Sequence, residues 1–520
     1  MVVLTNQPYS LILDYGNYAH FMRSVPMTDN DLEQTLIHLL QTNYGYATFR
    51  KGQLAVLKTL LATNGQNVLA ILPTGTGKSL LYEIAGRYLN GTTVIVSPLL
   101  SLMQDQVARL NYHGLKQAVA INSMMTPESR QWVLQNLRQY QYIFIAPESL
   151  NQPYILEAIR QQCQVKLLVI DEAHSIVQWG PDFRPSYLLL GTVFEKLNQP
   201  RLLALTATAS QQMQPQIMAQ FKQPFARIQA SVNRPKIHLR TERLINEEAK
   251  QNRLLTLIKT LPGAGIVYLS SKRQANELVA FLQKQTDKKV AVYHGDLAND
   301  QRYAIQQQFM RNQIDIIIAT SAFGMGIDKS DIRWIIHYHL PSDLASYLQE
   351  IGRAGRDQQA AIAILLYQPH DEVLVQSLIN NTIPTEAVIT QYYQGNAAEI
   401  DHQTQKVLSY YQRTGQQAPE VIDFLAQRLK QRLKALKTML TYIDLQVDKR
   451  NFILTAFGEA RLSGAASENW STEATTLDVS ALLKVKGTPV TKRATPQKWS
   501  QVLKTMFNST SANSNQDMVQ

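Results

Sequence analysis

The 520-residue chain has a single cysteine, Cys163. That excludes an internal disulfide framework and any zinc site built from two to four cysteines, and it fits a reducing compartment. The thiol is expected only to pack. No apolar run is long enough to cross a bilayer, and residues 1–26 lack the basic start and long apolar segment of a secretory signal. A cytoplasmic protein with no membrane partner is therefore expected. Acidic residues are missing between Val479 and Gln516, where Lys484, Lys486, Lys492, Arg493, Lys498 and Lys504 are interleaved with Trp499 and Phe507. The chain is rich in Ser, Ala and Thr from about residue 463, so 463–520 reads as a low-complexity, disordered basic tail that either grips phosphates or only solubilises. A formal net charge of +11 and a pI near 9.4 permit a polyanionic partner without demanding one.

The chemistry begins at "LPTGTGKSLLYE", residues 72–83, after the apolar run Val68–Ile71. A strand, a turn through Thr74, Gly75, Thr76 and Gly77, and a helix opening at Lys78–Ser79 make a phosphate cradle. Backbone N–H groups and the helix N-terminus converge there on an anion. Lys78 is placed to reach the β/γ-phosphates of ATP and Ser79 its Mg²⁺. The strict glycine-rich pattern would require glycine where Leu72 stands, so this stretch alone also fits a flexible loop. Further on, "LLVIDEAHS", residues 167–175, sets Asp171 and Glu172 at the end of a short apolar run. A buried parallel strand would deliver them to the same sheet edge, Asp171 to hold Mg²⁺ through water and Glu172 to orient the attacking water. A surface acidic pair is the plain alternative.

Short β-like runs separated by helical stretches form two series: 68–72, 93–97, 142–146, 167–171 and 202–206, then 265–270, 290–294, 314–320, 334–339 and 361–367. Such alternation reads as two parallel-sheet α/β units, within a prior of roughly three domains for this length. The joint falls near "SVNRPKI", residues 231–237, where Asn-Arg-Pro breaks any regular element. His337 and His339 read as sheet residues. In "SYLQEIGRAGRD", residues 346–357, Arg353 and Arg356 lie three apart, so on a helix they share a face and can present charge across a cleft. Alone, they also fit a basic helix end.

In order and wording these motifs resemble the superfamily 2 helicases, and within them the RecQ family, over about residues 35–370. The most specific stretch is "QWGPDFRPSY", 178–187, after the tetrad Asp171–His174. "YGYATFRKGQ", 44–53, "SPLLSLMQDQ", 97–106, "ALTATA", 204–209, and "ATSAFGMGIDK", 319–329, add to it. The resemblance implies an α/β fold of two RecA-like motor domains followed by a helical C-terminal region. The expected boundaries are 1–30 for an N-terminal extension, 31–232 and 233–370 for the motor domains, and 371–462 for the helical region. It implies that Tyr46 stacks on adenine, that Arg50 and Gln53 help grip the nucleotide, and that Asp328 touches it. It further implies that Thr206 and Thr208 link the nucleotide site to DNA and that Thr320 approaches a DNA phosphate. In the loop at 178–187, Trp179 and Phe183 offer ring faces for bases and Arg184 a cation, a sequence-tolerant grip; core aromatics in a connector are the alternative.

Two departures temper the likeness. RecQ proteins usually have Cys and His where this chain has Ser175 and Pro181, and the proline is expected to stiffen the loop. In "DKRNFILTAFGEA", 448–460, Asp448 occupies the position of the first zinc cysteine and no cysteine follows, so no zinc is expected. Instead Leu425, Leu429, Leu433, Leu436, Leu440 and Ile443 form an apolar stripe that lets packing replace the metal. Arg428, Lys430, Arg432, Lys434 and Lys437 stud the other faces, either as solvated charge or as a duplex-facing patch. A helix start capped by Thr28 or Asn30 would leave residues 1–26 either dispensable or a start-site extension. The implied activity is an ATP-dependent helicase acting 3′ to 5′ on single-stranded, forked or branched DNA in repair or recombination, with protein partners unidentified. An RNA-dependent ATPase of the same superfamily and a DNA-binding accessory ATPase that does not unwind are the alternatives.

Overall fold

The computed structural model describes residues 29–112, 117–324 and 329–463. The basic tail, nearly all of the N-terminal extension and Asp328 lie outside the described residues. The first sheet comprises β1 (Asn67–Ile71), β2 (Thr92–Val96), β3 (Ala118–Ile121), β4 (Tyr142–Ile145), β5 (Val165–Ile170), β6 (Arg201–Thr206) and β7 (Phe225–Gln229), in the order β3-β4-β2-β5-β6-β1-β7. The second comprises β8 (Ile237–Arg243), β9 (Ala264–Tyr268), β10 (Val290–Tyr293), β11 (Ile316–Ala319), β12 (Ile332–His337) and β13 (Ala361–Tyr367), in the order β10-β11-β9-β12-β13-β8. All of these pairings are parallel.

Parallel strands covered by helices on both faces read as unbroken apolar runs, and Leu167, Leu168, Val169 and Ile170 in β5 are all fully buried. The side-chain alternation of a strand sorts them: Val68 and Ala70 enter the core on one face of the first sheet, Leu69 and Ile71 the core on the other. Register then places the chemistry. Ile71 pairs with Thr206 and Ile170 with Ala204. The residues leaving β1, β5 and β6, which are Leu72, Asp171 and Thr206–Ala207, therefore emerge together at one carboxyl edge, where ligands of open α/β sheets bind.

Strands β3, β7 and β8 are absent from the two series expected from the sequence. All three are edge strands, only partly buried, and the polar positions of β7 and β8 dilute the apolar signal further. β8 follows the Asn-Arg-Pro break directly, and its pairing with β13 opens the second sheet.

Beyond β13 come helices Asp371–Thr382, Glu386–Tyr393, His402–Arg413, Ala418–Asp444 and Lys449–Ala456. The apolar stripe of the 27-residue helix Ala418–Asp444 serves two cores. Leu425 packs in a small cluster with Ile383, Ile389, Val407, Leu408 and Tyr411, whereas Leu436, Met439, Tyr442 and Ile443 enter the core of the second lobe. Asp448, at the expected cysteine position, is ion-paired with Arg461. No helix among the described residues is long and apolar enough to cross a membrane.

Candidate functional site

The turn after β1 is shaped by Gly75 and Gly77, with φ of 79° and 77°, a region costly for residues with a Cβ. Thr76 Oγ1 donates to Pro73 O at 2.7 Å, and Lys78 opens the helix Lys78–Leu89, with Ser79 second and the Lys78 Nζ donating back to Leu72 O at 3.4 Å. The turn is braced from outside. Arg50 Nη1 donates to Gly75 O, and the buried Gln53 donates from Nε2 to Thr76 O and Gly77 O at 2.8 and 3.1 Å. Gln53 Oε1 meanwhile accepts from Arg50 N at 2.8 Å. Both of its amide hydrogens lie on loop carbonyls, so Gln53 holds the shape of the turn that the nucleotide is expected to meet. Tyr46 is 56% exposed, which leaves it open for stacking.

Asp171 and Glu172 leave β5 beneath this turn. Burial, joined by the Glu172 charge and opposed by Lys78, pushes the Asp171 carboxyl up to about 7. For Glu172, burial acts upward, but the fields of Lys78, His174, Arg353 and Arg356 outweigh it and hold the carboxyl below the usual range. Glu172 adopts φ +49°, a left-handed backbone that costs a non-glycine residue about 1–3 kcal/mol. Its Oε2 lacks a hydrogen-bond partner among the described residues and stands 3.5 Å from His174 Nδ1. That nitrogen also lies 3.0 Å from Thr206 Oγ1, which accepts from Thr208 N at 3.2 Å. Glu172 and the buried Thr206–Thr208 turn are thus linked by His174, whose own pKa burial lowers. A buried carboxyl pair facing Lys78, beneath a glycine turn that opens a helix, fits a magnesium–nucleotide phosphate.

The second lobe closes this edge. Thr74 Oγ1 donates to Gly352 O at 2.7 Å, and a Cβ built on Gly75 would lie 3.3 Å from Arg356 Cγ, so Arg356 rests over the phosphate turn. Arg353 is 97% buried, close enough to Gly324 for Nη2 to lie 2.8 Å from a Cβ built there, and its charge reaches Glu172. Arg234, absent from the expected site, ties both sides together. Its Nη1 donates to Thr74 O and Gly352 O at 3.1 and 3.2 Å, and its Nη2 to Ala354 O and Gly355 O at 3.0 and 3.2 Å. Burial and the neighbouring Arg356 lower it to about 10, so it stays charged at neutral pH. The only signal in the sequence was an arginine inside the Asn-Arg-Pro joint, which reads as a break in structure. Thr320, in the second lobe, is buried and donates its N–H to Tyr293 O at 3.1 Å.

In the loop at 178–187, Trp179 O accepts from the N–H groups of both Phe183 and Arg184, at 2.8 and 2.7 Å. Pro181 therefore removes no N–H that closes the turn. Phe183 is 48% exposed, whereas Trp179 packs partly against the core, its ring centroid 6.4 Å from His174. Arg184, expected to offer a cation beside these rings, is engaged within the first lobe. Its Nε and Nη2 both donate to Glu148 at 2.6 Å and its Nη1 to Pro98 O at 2.9 Å, which neutralises its charge and commits its fork internally. The basic residues of the long helix also divide: Arg428 and Arg432 turn to the buried Asp182, while Lys430, Lys434 and Lys437 are exposed.

The family model for DEAD/DEAH box helicases matches residues 50–215, and that for the helicase conserved C-terminal domain matches residues 249–358. The probable ATP-dependent DNA helicase RecS of Bacillus subtilis is 44% identical over 349 residues, covering 67% of this chain and 69% of that protein. The ATP-dependent DNA helicase RecQ of the same organism is 34% identical over 433 residues, covering 81% of this chain and 64% of that protein. The chain thus spans about two thirds of the length of these curated relatives. Among solved structures, Saccharomyces cerevisiae Dbp5 bound to RNA and ADP BeF3 aligns with a TM-score of 0.54 at 20% identity, over 70% of this chain and 93% of that one. The DUF1998 helicase MrfA bound to DNA aligns with 0.56 at 17% identity, over 75% and 62%. At such identities the structural likeness speaks for the fold.

Proposed function

Because this chain belongs to the RecQ family of superfamily 2 ATP-dependent DNA helicases, we propose that it hydrolyses MgATP between its two lobes and uses the closure to move 3′ to 5′ along single-stranded DNA. Forked or branched duplex is the substrate, in repair or recombination in the cytoplasm. One observation carries this reading: the Gly352–Arg356 turn of the second lobe lies on the phosphate turn of the first, joined through Thr74 and Arg234.

In this reading Tyr46 stacks on adenine, and Arg50 and Gln53 set the shape of the turn whose N–H groups, at Thr74, Gly75, Thr76, Gly77, Lys78 and Ser79, meet the phosphates. Lys78 takes the β/γ-phosphates. Ser79 and Asp171 would hold Mg²⁺, which would supply charge neutralisation at the phosphates. Glu172, held ionised by its cationic neighbours, orients the attacking water and accepts its proton. Arg353 and Arg356 stabilise charge on the transferring phosphoryl group. Asp328 is assigned to the nucleotide as well. Thr206 and Thr208 relay the state of the site through His174, Thr320 meets a DNA phosphate, and Trp179 and Phe183 meet bases. Arg184 shapes the loop through Glu148.

The test is ATP turnover with and without single-stranded DNA or RNA, beside unwinding of duplexes carrying a 3′ or a 5′ tail. DNA-stimulated turnover with unwinding of the 3′-tailed duplex is expected. Preferential stimulation by RNA would assign an RNA-dependent ATPase, and stimulation without unwinding an accessory ATPase.

A further inference from the structure

The helix Ala418–Asp444 touches both halves of the molecule. At its far end Tyr442 donates its hydroxyl to Tyr347 Oη at 3.2 Å, inside the core of the second lobe. Tyr347 lies on the helix Leu344–Ile351, which runs directly into Gly352–Arg356. Nearer its start, Arg432 Nη1 reaches Asp182 Oδ2 at 3.0 Å and Arg428 Nε reaches the same oxygen at 3.7 Å, while Arg428 Nη2 donates to Val177 O and Gln178 O. Asp182 is 4% exposed. The preceding helix adds Tyr411, whose hydroxyl donates to Pro181 O at 2.7 Å, and Gln403, which donates to Phe183 O. Every residue from Val177 to Phe183 except Trp179 and Gly180 is thus held by the helical region.

A helix of 27 residues is about 40 Å long at 1.5 Å rise per residue, and it resists bending far more than a loop does. Removing one partner of a buried ion pair strands the other charge, so Asp182 follows the two arginines when the helix shifts. We propose that this helix is a strut that transmits movement of the Arg353–Arg356 turn to the Trp179–Phe183 loop, with Arg428, Arg432 and Asp182 as the positioning residues that latch it. This ion-paired cluster holds the helical region where it meets the first lobe. This rests on the motor reading above.

The experiment uses the full chain carrying Arg428→Gln with Arg432→Gln, and separately Asp182→Asn, which alters the loop without touching the helix. Basal ATP turnover, maximal turnover on single-stranded oligothymidylate, and the concentration giving half-maximal stimulation are measured at several salt concentrations. Both variants are expected to lose stimulation by about two- to thirty-fold, with basal turnover and the salt slope of DNA affinity unchanged. Arg428→Lys with Arg432→Lys, which keeps the charges and loses the forks, is expected to recover only part of it. Wild-type stimulation in both variants overturns the strut. So does a loss confined to affinity with a shallower salt slope, which would make the arginines phosphate contacts. Absence of stimulation in the wild type overturns the motor reading itself, and the strut with it.

Discussion

At the residue scale, Glu172 combines a left-handed backbone, burial and a ring of cations from both lobes. Glu172→Gln is expected to retain nucleotide binding while nearly abolishing turnover, as a fluorescent nucleotide titration beside a phosphate-release assay will show; undiminished turnover removes it from the water-orienting role. Arg356→Ala is expected to lower turnover by about 10³-fold, the scale of an arginine finger. Asp171 yields a pH prediction. Its folded pKa of about 7 lies above its ordinary value, so the apo protein binds a proton that the unfolded chain gives up, and its stability rises as pH falls from about 8 to 5. Mg²⁺ needs the carboxylate, so magnesium-dependent nucleotide affinity is expected to strengthen over the same interval as pH rises. Asp171→Asn is expected to flatten that dependence, and a slope that survives the substitution assigns it to another group.

At the element scale, the long helix works because one stripe meets two cores. Leu425 is fully packed in the small cluster of the helical region, so Leu425→Ala is expected to cost about 2–5 kcal/mol locally, from lost burial and the cavity left behind. Hydrogen exchange is the measurement: amides of His402–Arg413 and of the loop at 177–184 are expected to lose protection before those of β9 or β12. Uniform loss across the chain would mean that the helical region unfolds only with the lobes. The stretch 448–460 also braces the joint between the lobes. Glu459 accepts from Ser231 Oγ and Val232 N, and Arg450 donates to Asn233 Oδ1, Arg234 O and Ile237 O, so the last helix and the segment after it clamp the joint between the lobes.

At the scale of the whole molecule, Arg234 is where that clamp meets the chemistry. Arg234→Ala is expected to lower the maximal turnover rate more than it changes nucleotide affinity, because the four carbonyls it gathers orient Gly352–Arg356 without touching the adenine side. A change confined to nucleotide affinity would reassign it to binding. The net charge of +11 bears on the partner. Single-stranded DNA affinity is expected to fall linearly with the logarithm of salt, with a slope of about −0.7 per phosphate contacted.

What the sequence alone determined is local or periodic. Unbroken apolar runs specify buried parallel strands, glycines followed by Lys78–Ser79 specify the phosphate turn, Asp171–Glu172 stand at a strand end, and leucines three and four apart specify the long helix. Edge strands β7 and β8 escaped because their positions are only partly buried and interleaved with polar residues. What only the tertiary structure decided is which distant group arrives at each polar side chain. Gln53 meets the turn at Thr76 and Gly77, Arg184 meets Glu148, and Arg428 and Arg432 meet Asp182 some 250 positions away. Arg234 gathers carbonyls from both lobes, 160 positions from Thr74. Burial makes each of these charges or amides require a partner, but no spacing along the chain names that partner, because the packing of the two sheets and the long helix brings it there.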